Sequence, residues 1–104
     1  MAKRKPRYPL TVSIPWELND FKIDEDEKPY AVKMTLNIIV HSNGGYELES
    51  MNVDEIDPAD HEQYRVAITA EQYINECEGG ADDDEWQKIK SRVATELEKQ
   101  YGGV

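Results

Sequence analysis

The groups weighed first for chemistry in this 104-residue sequence are one thiol, two imidazoles and twenty-two carboxylates. Cys77 is the single cysteine, so the chain forms no internal disulfide and no thiolate metal cluster. Nothing around it marks a nucleophile, and free cysteines usually behave as small buried apolar groups. His41 stands beside a turn and His61 in a polar loop or first helical turn. Neither has a second His or Cys at ligand spacing, so no zinc site is expected. The run Asp24, Glu25, Asp26, Glu27 offers oxygens to a hard cation but lacks the glycine and the closing glutamate of an ordered calcium loop. It reads as a solvated turn. Asp82, Asp83, Asp84 and Glu85 suit the positive end of a helix dipole. No Ser-His-Asp order, phosphate-binding glycine loop or paired-carboxylate signature stands out. The expectation is a protein that is not an enzyme and takes no cofactor or metal.

The carboxylates matter more through their distribution. The net charge is −10, and Lys3, Arg4, Lys5 and Arg7 hold four of the twelve positive charges within the first eight residues. From Glu47 to Glu85 fourteen acids face the single base Arg65, a net of −13. Such a field repels nucleic acid and anionic membrane and attracts basic partners. Caps and turns account for only a few of these acids. The leading reading is therefore a small acidic protein-binding module that docks on a basic protein, with a nucleic-acid-handling one favoured. It would act as an inhibitor or DNA-mimic-like regulator of the phage or mobile-element kind. The residues expected to meet the partner are Glu47, Glu49, Asp54, Glu55, Asp57, Asp60, Glu62, Glu76, Glu78, Asp82, Asp83 and Asp84.

Two further readings belong to other classes. Lys3, Arg4, Lys5 and Arg7, with Tyr8 behind them, form an arm that could contact phosphates, making an accessory nucleic-acid-binding domain. The acidic body opposes that, so direct nucleic-acid binding is disfavoured. A structural homodimer could instead pair through a second sheet face around Ile39, Met51 and Val53.

The elements that position these groups follow from periodicity. Residues 1–7 read as a flexible basic arm, 8–101 as a single domain and 102–104 as a flexible tail. Leu10, Val12, Ile14 and Trp16 alternate with polar residues as in a half-buried strand, and Pro9 and Pro15 place it at a sheet edge. Phe21 and Ile23 suggest a second short extended piece. Tyr30, Val32, Met34, Leu36, Ile38 and Val40 share one face of a long central strand. Ser42, Asn43, Gly44 and Gly45 form a hairpin turn. A three-residue loop ending at a left-handed Gly45 is expected, pairing Val40 with Leu48 and His41 with Glu47. Tyr46 and Leu48 then join the core face. Met51 and Val53 fall on the other side unless a bulge near Ser50 corrects the phase.

Residues 57–77 support two readings. One is a single helix entered at Asp57 and Pro58, with Val66, Ala70, Tyr73 and Cys77 as its apolar stripe. The other is a strand through Tyr64, Val66 and Ile68, followed by a helix capped at Thr69–Gln72. The second is preferred, because one helix leaves Tyr64 and Ile68 off the stripe. Gly79 and Gly80 end this segment. A final amphipathic helix carries Trp86, Ile89, Val93, Leu97 and Tyr101, capped by Asp82 and Glu85 and stopped at Gly102.

The fold class is α+β, an antiparallel sheet of three to four strands in a meander with a central long hairpin, packed by one or two helices. The longest apolar run, Ile38–Val40, is far short of the roughly 20 residues of a membrane span. No apolar stretch backs the basic start as in a secretory signal. A cytoplasmic protein without membrane contact is expected.

Overall fold

One proline and one alternating apolar run fit the strand order. The computed structural model describes residues 7–24 and 28–101, with strands β1 (Leu10–Phe21), β2 (Tyr30–Val40) and β3 (Tyr46–Asp57) followed by helices α1 (Gln63–Glu78) and α2 (Asp83–Tyr101). The strands pair antiparallel in the order β1-β2-β3, giving the expected α+β meander with β2 in the centre. Lys3, Arg4, Lys5, residues 25–27 of the acidic run and residues 102–104 lie outside the described residues.

Strand β2 is the heart of the core. Its alternate residues Tyr30, Val32, Met34, Leu36, Ile38 and Val40 are each at most 3% exposed. Burying such a side chain contributes about 1.5–3 kcal/mol. Leu10, Val12, Ile14, Trp16 and Leu18 of β1 meet them across the ladder on the same face. A proline lacks the ladder donor, and Pro15 sits in an outer strand opposite Thr35. The expected break before Phe21 is not one. Strand β1 continues through a register shift between Leu18 and Phe21, where Asp20 takes a φ of 54°, a left-handed value that Asp tolerates better than most residues.

The hairpin differs from expectation in its left-handed glycine and in its register. Gly44, not Gly45, is left-handed (φ 87°), His41 N–H donates to Gly45 O and Gly44 N–H to His41 O, both at 2.9 Å. Val40 therefore pairs with Tyr46 and Ile39 with Glu47. Sliding the partner from Leu48 to Tyr46 moves it by two residues, which leaves every side chain on its original face. Side-chain pattern is blind to that slip.

The phase of β3 is corrected by bulges. Its ladder to β2 skips Glu49 and again Asp54, so Tyr46, Leu48, Met51, Val53 and Ile56 all pack toward the core. Met51 and Val53 are thus not on the outer face with Ile39. A homodimer built on those three residues loses its surface.

Residues 63–78 form one helix, correcting the preferred strand-then-helix reading. Val66, Ala70, Ile74 and Cys77 make a fully buried stripe, while Tyr64 and Ile68 face solvent. The supposed cap Thr69 lies mid-helix, its hydroxyl donating to the Arg65 carbonyl one turn back at 2.8 Å. Asp57 ends β3 instead of capping the helix. Helix α2 follows the expected pattern, with Ile89 and Val93 buried and Trp86 and Leu97 packed beside them.

Helix α1 lies chiefly over β3 and α2 over β1, touching each other, so one sheet face is covered by this pair. Among the described residues no helix is long and apolar enough to cross a membrane.

Ile38 and Ile39 are adjacent and identical but face opposite ways, with Ile38 fully buried and Ile39 half-buried on the uncovered face. Ile38→Ala should lower the unfolding free energy by about 2–5 kcal/mol in urea titration, and Ile39→Ala by about 1 or less. Equal losses would mean that the assigned faces are wrong.

Candidate protein-binding surface

The charge polarity of the sequence becomes a polarity in space. From β3 through α1, residues 46–78 carry ten acids and the single base Arg65, a net of −9. These two elements pack on each other, so that charge gathers along one side of the sheet. Helix α2, over β1, carries five acids and four bases.

Three of the twelve carboxylates assigned to a partner are committed inside the fold. Asp60 receives Lys28 Nζ at 2.6 Å, Tyr30 OH at 3.1 Å and the Glu62 N–H at 2.9 Å. The Lys28 bond, helped by the other two donors, holds its carboxyl below the ordinary value of 3.8. Asp82 accepts Tyr73 OH at 2.8 Å and caps α2 through the Glu85 N–H at 3.2 Å. Tyr73 is the main cause of its lowered pKa. Glu78 Oε2 reaches back from the end of α1 to take the Leu48 N–H of β3 at 2.6 Å. It covers an edge donor that would otherwise be open.

The other acids point outward. On the uncovered sheet face Thr35 donates to Asp54 at 2.7 Å, Lys33 pairs with Glu55 at 3.4 Å and His41 with Glu47 at 3.2 Å. Beside them Ser13, Asn37 and Ser50 link all three strands at 2.6 and 2.9 Å. Exposed pairs of this kind are worth about 0–1 kcal/mol, and Glu47 and Glu55 remain 59% and 64% exposed. Glu17 and Glu55 flank Lys33 in register, and an open depression lined by these residues, Thr35, Asp54 and Arg92 holds three acids and two bases. Glu49, Asp57, Glu76, Asp83 and Asp84 are exposed, and Glu62 is shared by Arg65 at 3.1 Å and His61 at 3.4 Å. Of the basic arm only Arg7 is described, and it is exposed. Among the described residues no group of three His, Cys, Asp or Glu side chains is arranged to hold a metal ion.

Two surface residues escaped the sequence reading. Tyr64 is 76% and Ile68 38% exposed, one turn apart on α1. Their misfit to the helical stripe was the signal available. Cys77 is fully buried, and burial pushes its thiol above the ordinary value, which keeps it protonated.

Comparison of the chain with protein-family models, curated proteins and solved structures finds no match. The reading of this surface rests on its geometry and charge.

Two measurements check the assignments. Asp60 and Asp82 titrate below 3.8 when folded, so each binds fewer protons than in the unfolded chain, adds stability above that pH and loses it as pH falls through the lower folded value. The urea midpoint should therefore drop below pH about 4, and Asp82→Asn, which removes the ionised form, should flatten that drop by lowering the midpoint at pH 7 while changing it least at the acid end. Cys77 should resist a thiol-modifying reagent in the native protein and react at once in denaturant.

Proposed function

We propose that this protein is a small acidic binding module that docks the side formed by β3 and α1 on a basic protein surface. The favoured partner is a nucleic-acid-handling protein whose DNA or RNA groove the carboxylates would occupy, making the module its inhibitor or regulator. The observation that carries this reading is the contact between β3 and α1, which together with their connection gathers ten acids and one base on one side of the sheet. A twelve-residue strand is about 40 Å long, so the eight acids left after Asp60 and Glu78 present roughly one charge per 5 Å along it. Duplex DNA presents one per about 1.7 Å. The array is coarser than a duplex, yet of one sign over a length comparable to a protein's nucleic-acid groove. Its contribution would be steering and salt-sensitive affinity.

The test is an affinity capture from cell extract with immobilised protein, eluted in salt steps, beside a variant with Glu49, Asp54, Glu55, Asp57, Glu71 and Glu76 changed to amides. Basic nucleic-acid-binding proteins should be retained at roughly 50 mM salt, released by about 500 mM, and lost from the variant. Retention of nothing at low salt, or binding indifferent to salt, ends the reading.

A further inference from the structure

We infer that the partner approaches this side with a basic amphipathic helix, seated in the groove between the outer edge of β3 and α1. This inference rests on the acidic docking reading and names its contact. The groove, about 500 Å³ in volume, has an apolar floor of Val53 and Ile56 from β3, Ala59 from the connection, and Tyr64 and Ala67 from α1. Ile68, one turn beyond Tyr64 on α1 and 38% exposed, stands beside the groove rather than in its floor. Asp54 and Glu55 line the groove at the bulge, their carboxylates also meeting Thr35 and Lys33 of the uncovered face, while Asp57 follows on β3 and Glu71 stands one turn beyond Ala67. An apolar floor with an acidic rim fits a ligand whose apolar stripe is flanked by Lys or Arg.

The edge itself excludes the commonest alternative. An extended peptide adds to a sheet only where the outer strand offers an unbroken row of donors and acceptors. Strand β3 is bulged at Asp54, inside the groove, and at Glu49, and its Leu48 N–H is already held by Glu78. A helix needs no ladder. Its side chains at i, i+3 and i+4 can reach Tyr64 and the floor while its basic flanks meet the rim.

The experiment titrates the isotope-labelled full chain with two synthetic peptides of equal lysine content, each roughly four helical turns long. One carries an amphipathic Leu stripe and the other Ser in its place. The Leu peptide should bind about tenfold more tightly at physiological salt, from the burial of two or three apolar side chains, and should move amide signals between residues 53 and 71. Tyr64→Ser with Ile68→Ser should bring the two peptides within about twofold of each other and leave the Ser peptide unchanged. Equal affinities on the native chain, an advantage that survives in the variant, or shifts centred on the uncovered sheet face would each overturn the groove. Should the Ser peptide fail to bind even at low salt, the acidic docking reading falls instead.

Discussion

A sheet with helices on only one side must send every large apolar side chain the same way, and the rest of this molecule follows from how β3 meets that demand. Tyr46, Leu48, Met51, Val53 and Ile56 are spaced by two, three, two and three residues, whereas a regular strand returns to one face every two. Without an extra residue Met51 and Val53 would face water. With one extra residue they would turn inward and Ile56 would turn out. Two bulges, at Glu49 and Asp54, bring all five inward. Those five complete the floor on which α1 lies.

The same bulges shape the margins of the sheet. Both outer strands expose backbone that another chain could pair with, and each is protected differently. Strand β1 carries Pro15 within it, which removes a donor from the row. Strand β3 is interrupted twice, with a carboxylate at each interruption, and Glu78 closes the Leu48 donor. Asp82, fixed by Tyr73, sets the start of α2 and so ties the two helices together at their turn.

What could be read from the sequence was decided by periodicity, and what could not was decided by offsets that periodicity does not see. The alternation from Tyr30 to Val40 gave the central strand, Pro15 the edge, and Trp86 to Leu97 the last helix. The hairpin register was missed because a partner shift of two residues preserves every face. The span 63–78 was misread because Tyr64 and Ile68 were assumed to be buried, which forced a strand on residues that are helical and exposed. The acidic tract was legible as composition, but not the removal of Asp60, Glu78 and Asp82 from it, since each answers a donor from a distant or differently oriented segment: Lys28 and Tyr30, Leu48, and Tyr73.

Stability does not explain the carboxylates that remain. The three committed acids serve the fold, and the exposed pairs on the sheet face contribute at most about 1 kcal/mol each. Packing β3 against α1 brings like charges together, which opposes folding. Helix α2 shows that this architecture accepts interleaved signs, since it presents five acids and four bases on a comparable length. The bulged edge of β3 therefore combines two properties that separate roles would not require together. It refuses a strand, and it borders an apolar groove with acidic residues. A partner that satisfies both must bring its own backbone hydrogen bonds and its own positive charge, and a basic helix does so.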